Sequence, residues 1–141
     1  MEQPTIIKGK SHADNRGSLF FNNDFNASPI KRIYYIENKD TQFIRGWTGH
    51  KIEQRWFSAT QGSFTIRLIK IDNWQKPSEN LPVLEFELNS ENIDILHVPK
   101  GYASAIQAKD EKSRLLVMAD YSLGEITDDY RFPINYFENL K

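Results

Sequence analysis

The chain has 141 residues and a formal net charge of −1, with 18 Lys plus Arg against 19 Asp plus Glu, a length that suits one domain over residues 1–141 with a real hydrophobic core. A hydrophobic share of 39% with 26% charged residues belongs to a folded globular chain and excludes disorder. The absence of Cys excludes disulfides, thiolate nucleophiles and zinc ribbons, and the near-neutral balance argues against nucleic acid as a partner.

The elements predicted along the chain are almost all strands. After a turn at Asn15 to Gly17 comes a short strand, Ser18–Phe21, closed by Asn22 to Asp24. Ile30–Ile36 alternates Ile30, Arg32, Tyr34 and Ile36 against Lys31, Ile33 and Tyr35, the period of a half-buried strand. Phe43–Gly46 and Gln54–Thr60 follow, and Gln61-Gly62 turns the chain into Ser63–Ile71, where Phe64, Ile66 and Leu68 share a face. Val83–Leu88, Ile93–Val98, Ala103–Gln107 and Arg114–Asp120 complete the set, separated by turn residues at 77–80, 99–101 and 110–112. No segment carries a helical stripe; a turn or two is the most that the tail from Asp128 to Leu140 offers. Many short strands without helical crossovers predict an antiparallel sandwich or barrel. The opening MEQPTIIKGKSHADNRG has no apolar core of signal-peptide length and no stretch approaches a bilayer's span, so the expectation is a cytoplasmic protein without a membrane partner.

Three histidines can do acid–base chemistry. His12 sits among polar residues and reads as solvated; His97 alternates with Ile93 and Ile95 and reads as a satisfied, partly buried ring. His50 follows Arg45-Gly46-Trp47-Thr48-Gly49 and precedes Lys51, Glu53 and Arg55, a context dense in polar groups that fits either a site or an exposed hairpin end. A metal needs several convergent donors of suitable softness, and beside His50 the next candidates are only Glu53 and Gln54, so no metal is expected. The seven scattered glycines form no phosphate loop, and no Ser stands in a nucleophile elbow.

Several blocks in order resemble the nucleotide-sugar isomerases of the cupin superfamily: Asp14-Asn15-Arg16-Gly17, Ile30 to Ile36, Arg45 to Lys51, Leu96-His97-Val98-Pro99-Lys100-Gly101-Tyr102-Ala103, and Leu115 to Tyr121 with Asp128-Asp129-Tyr130-Arg131. These families are the dTDP-4-dehydrorhamnose 3,5-epimerases, the dTDP-4-keto-6-deoxyglucose 3,4-ketoisomerases and the WxcM-like isomerases. The resemblance implies an all-β double-stranded β-helix, the RmlC-like cupin jelly roll, forming a homodimer. It implies a metal-independent, cofactor-free isomerase of a dTDP- or UDP-linked 4-keto-6-deoxy sugar, in surface-polysaccharide biosynthesis. Ketoisomerases carry His at the positions of both Thr48 and His50; epimerases carry their catalytic His at Thr48 and a late one at Ser104. The retained His50 therefore favours the 3,4-ketoisomerase, with a 3,5- or 3-epimerase or a silent sugar-nucleotide-binding cupin as alternatives.

The roles that follow are His50 as general base and Arg55 as cationic clamp on the enolate, since proton abstraction beside a ketone needs both. Arg55 lies seven residues before Gly62, the spacing of the epimerase Lys. Tyr121 is the candidate acid. Arg16 and Arg45, each followed by Gly, suit the phosphates. Trp47, Thr48, Tyr35, Tyr102 and Ser104 are expected as further substrate contacts; core packing is the alternative for the aromatic ones and for Trp56.

Overall fold

A computed structural model describes residues 2–138, and the predicted all-β jelly roll is what it contains. The strands are β1 (Thr5–Ile7), β2 (Lys10–Asp14), β3 (Gly17–Phe21), β4 (Arg32–Ile36), β5 (Ile44–His50), β6 (Arg55–Gln61), β7 (Ser63–Lys70), β8 (Leu84–Asn89), β9 (Ile95–Val98), β10 (Tyr102–Ala108), β11 (Arg114–Ala119) and β12 (Tyr130–Arg131). They build two antiparallel five-stranded sheets, β1-β9-β6-β11-β4 and β12-β5-β10-β7-β8, and a separate β2-β3 hairpin.

The period-two pattern decides which side chains lie between the sheets. Phe64, Ile66 and Leu68 of β7 are fully buried there against Phe57, Leu96, Leu115 and Val117 from the facing sheet. Side chains of this size each contribute roughly 1.5–3 kcal/mol when taken fully from water, so this layer fixes the sheet pairing. Each outer face is also covered. Trp47, Ile69, Ala103 and Ala105 lie under a C-terminal segment carrying Phe132, Ile134, Tyr136 and Phe137. Trp56, Ile95 and Met118 lie under Ile7, Phe25 and Ile30. Gly62 makes the β6–β7 turn at φ 70°, where a Cβ would fall 2.1 Å from Ser113 Oγ.

Three differences from the sequence reading matter. β5 runs on to His50 instead of ending at Gly46, which brings Thr48 and His50 into the sheet. β1 and β2 were not foreseen; every residue of β2 is exposed, so it offers no apolar alternation to read. The tail forms β12 and then turns, and the part of it beyond residue 138 lies outside the described residues. Among the described residues no helix is long and apolar enough to cross a membrane.

Candidate active site

β10 organises the site by pairing with β5. Ser104 opposes Thr48 and Tyr102 opposes His50, but the next inward pair is Ile106 with Arg45. Two residues of β5, Gly46 and Trp47, therefore face the single Ala105: a β-bulge. In a regular strand Arg45 would point with Trp47, away from His50; the extra residue turns Arg45 inward. Gly46 is required there, because a Cβ would come within 2.8 Å of Ala105. The result is a cavity of about 800 Å³ between the sheets, with Arg45, Thr48, His50, Arg55, Ser104 and Tyr35 among its lining residues. Those six were expected from the sequence.

The chemistry centres on His50. Its Nδ1 lies 2.8 Å from the backbone oxygen of Asp128. A carbonyl only accepts, so Nδ1 carries the proton and Nε2 is left as the basic nitrogen of a ring lining the cavity. Burial, and secondarily the positive charge of Arg55, push the imidazole below its ordinary pKa of 6.5, opposed by the Asp128 carbonyl bond. The ring is held neutral and competent as a base near pH 7.

Arg55 is buried, at 7% exposure, with Nη1 donating to Tyr34 Oη at 2.6 Å and Nη2 donating to Glu53 Oε1 at 3.2 Å. Its Nε is the buried side-chain nitrogen left without a partner among the described residues. Because Tyr34 Oη accepts from Arg55, its own proton is available to a ligand in the cavity that Tyr34 also lines. Glu53 lies 3.9 Å from His50 Nδ1, and burial raises its pKa against the opposing pull of Arg55. Asp128 is buried, and its carboxylate accepts the backbone N–H groups of Lys51, Ile52 and Glu53 at 2.8–2.9 Å.

His50, Glu53 and Asp128 bring ligand atoms within 4.8 Å of one another. Both Asp128 oxygens are already acceptors of main-chain N–H groups, and His50 Nδ1 is a donor, so this set is committed to protein contacts and is a poor metal cage.

The remaining expected residues lie elsewhere. Trp47 is fully buried on the outer face, its Nε1 donating to Ile134 O at 3.3 Å, because it alternates with the inward-facing Thr48 in a strand that runs on to His50. Tyr102 is packed in the inter-sheet core, where burial raises its pKa. Tyr121 lies beside Lys31, 5.8 Å from its Nζ, and is not among the cavity's lining residues. Arg16 caps the β2–β3 hairpin, paired with Asp14 at 2.8 Å, and within one chain does not line the cavity. Arg32 and Arg131, which sequence reading passed over, line the cavity together with Arg45. Tyr34 was missed as well, although the alternation of β4 already placed it opposite Tyr35.

The sequence matches the family model described as WxcM-like, C-terminal (FdtA) over residues 2–141. No curated protein sequence matches it. Among solved structures it is similar to the QdtA 3,4-ketoisomerase of Thermoanaerobacterium thermosaccharolyticum in complex with TDP. The identity is 29% over 97% of this chain and 93% of that one, with a TM-score of 0.70. A variant of the same enzyme in complex with TDP-4-keto-6-deoxyglucose matches at 28% identity, 99% and 95% coverage and a TM-score of 0.72. The dTDP-4-dehydrorhamnose 3,5-epimerase of Bacillus anthracis shares the fold, at 16% identity, 97% and 82% coverage and a TM-score of 0.74. With the match spanning nearly every residue, the chain belongs to the WxcM-like, C-terminal family of cupin-type sugar isomerases.

Proposed function

We propose that the protein is a 3,4-ketoisomerase of a nucleotide-linked 4-keto-6-deoxy sugar, working without a metal or cofactor. The observation that carries this reading is the pairing of a histidine, His50, whose Nδ1 faces the Asp128 carbonyl, with the buried Arg55 guanidinium in one polar cavity. His50 Nε2 takes the proton from C3, and the C–H electrons form the C3–C4 double bond of an enediolate whose charge rests on O4. Arg55 stabilises that charge, a contribution that grows as water is excluded. The same His50, its Nε2–H having exchanged with solvent, delivers a proton to C4, while the O3 proton passes to O4, with Tyr34 placed to relay it. One base on one face suffices for this shift, whereas inversion at a carbon needs an acid on the opposite face. Thr48 and Ser104, which stand where the resemblance puts the epimerase histidines, share the His50 wall of the cavity and supply only hydroxyls.

The nucleotide would be held by the arginines of the cavity, Arg32, Arg45 and Arg131, as charge-assisted donors to a diphosphate. The TDP complexes of the ketoisomerase relatives support dTDP as the carrier. A homodimer belongs to this reading. Leu19 and Phe20 on the hairpin and Ile33 and Tyr35 on β4 are 61, 47, 65 and 61% exposed, apolar surface that a second copy would cover. A cytoplasmic setting and a place in surface-polysaccharide assembly suit a nucleotide-sugar substrate.

The test is incubation with TDP-4-keto-6-deoxyglucose in deuterated water, followed by NMR. The expected result is a 3-keto product with deuterium on carbon. Inversion at C3 or C5 without keto transfer would mark an epimerase, and binding without any exchange would mark a silent sugar-nucleotide-binding cupin; either outcome overturns the assignment.

A further inference from the structure

Asp128 stands 78 residues from His50 in sequence, yet it touches the base and its neighbours with both its backbone and its side chain. Its carbonyl accepts from His50 Nδ1, while its carboxylate accepts three consecutive main-chain N–H groups over residues 51–53. That turn carries Glu53, whose carboxylate engages both Arg55 and the His50 ring. Three N–H donors in a row on one buried carboxylate fix a short irregular segment that no strand pairing holds.

The segment that brings Asp128 there is itself anchored at several points. β12 pairs with β5, Tyr130 opposite Gly49 and Arg131 opposite Thr48. Phe132 exchanges backbone hydrogen bonds with Trp47, at 3.0 and 3.1 Å. Phe137 is fully buried against Trp47, Tyr136 donates to the Pro77 carbonyl and the Glu138 N–H to Glu79 O. The strap runs from the outer hydrophobic cluster to the catalytic ring.

We propose that Asp128 is the positioning residue of the site, and that docking of the 128–138 strap assembles the base: the carbonyl selects the tautomer of His50 and the carboxylate sets the turn bearing Glu53. Asp128 acts through His50, to which its backbone oxygen is bonded, although it also borders the cavity. This rests on His50 being the base of the proposed reaction, but its physical content, a tautomer imposed by the strap, holds whatever the substrate. The charged groups facing the ring are Glu53, Arg55, Asp128 and Asp129, so any change in its titration is read against those four.

The test uses the full chain labelled with ¹⁵N-histidine, in Asp128→Asn and in Tyr136→Phe. Asn keeps one acceptor oxygen but turns an N–H₂ toward donors; the Phe variant loosens the far end of the strap. NMR of the ring nitrogens in wild type should show Nδ1 protonated and Nε2 free at neutral pH. In Asp128→Asn the ring should become a tautomer mixture, and its titration midpoint should fall further below the ordinary value, since the Asp128 carbonyl bond and carboxylate charge both favour the charged ring. Turnover should fall roughly 10²-fold at nearly unchanged KM, the cost of a misplaced catalytic group. Tyr136→Phe should shift both readouts in the same direction by less, and it decides the question if Asp128→Asn does not fold. A wild-type ring protonated on Nε2, or variants whose tautomer and midpoint stay unchanged, would overturn the proposal. Wild type showing the expected tautomer without ketoisomerase activity would sink the functional assignment and leave the positioning role standing.

Discussion

The imidazole of His97 lies flat on the indole of Trp56, with ring centroids 4.9 Å apart and planes 18° from parallel. Its Nε2 lies 2.6 Å from Gln54 Oε1, an acceptor only, so that nitrogen carries a proton, and the Gln54 amide in turn donates to Asp120 at 3.2 Å. The stack belongs to the outer face of the first sheet, away from the cavity that His50 lines. His97→Asn should therefore leave solvent exchange at the sugar carbon within about twofold of wild type. It should cost roughly 1–3 kcal/mol in urea unfolding, from the lost hydrogen bond and ring contact. A drop in exchange matching that of a His50 variant would place the base on the wrong histidine.

For His50→Asn the expectation is the reverse. A positioned base contributes about 10²–10⁴-fold, so turnover and exchange should fall by that factor while TDP affinity, measured by calorimetry, stays nearly intact. Thr48→Val should cost far less, because its hydroxyl has no proton to give or take near pH 7. Undiminished exchange in His50→Asn would exclude the one-base mechanism.

The pH dependence follows from the same ring. Burial and Arg55 favour the neutral imidazole, so the acid limb of kcat/KM should lie below 6.5. The linked contribution to folding stability is complete above the unfolded value and is lost as pH falls through the folded one. In Arg55→Met the midpoint should rise, since a cation is removed and the Glu53 carboxylate near Nδ1 loses its counterion. Histidine titration by NMR reads this directly; a midpoint that falls would show that Arg55 does not set the field at the ring.

Arg45 reaches the cavity through the bulge and is held by Asn38 Oδ1 at 3.3 Å, with no carboxylate ion-paired to it among the described residues. A charge-assisted contact contributes roughly 1.5–3 kcal/mol, so Arg45→Ala should weaken TDP binding about tenfold or more. Calorimetry showing unchanged affinity would move the phosphate site to Arg32 and Arg131.

Because the oxygens of Asp128 are engaged by the turn at residues 51–53, a strong chelator should leave exchange and TDP affinity unchanged. Stoichiometric metal lost together with activity would show that the His50, Glu53 and Asp128 cluster serves a different purpose.

What the sequence revealed follows the physics of a pleated sheet. Alternation in β4, β7 and β8 exposed which residues face inward, and Gly62 marked a turn that only a positive φ allows. His50 stood out because a titratable ring in a run of charged residues is chemically conspicuous. Trp47 was misplaced because β5 continues past Gly46 to His50, so that alternation with Thr48 turns the indole outward, while the bulge that turns Arg45 inward leaves little trace in a local pattern. β12 is two residues long and exists only because β5 offers an edge. Asp128 escaped notice for a similar reason. Its partners are main-chain groups far away in sequence, and every residue type but proline supplies the same N–H.

Phe57 and Ile106 belong at once to the inter-sheet core and to the lining of the cavity. They are the floor on which the substrate chamber ends and the packed interior begins. A trimmed side chain at either position would deepen the chamber and open the hydrophobic layer together, so tolerance for a bulkier sugar substituent and thermal resistance would trade against each other. Variants selected for larger substrates should therefore arrive with lowered melting temperatures unless a second change refills the space beneath.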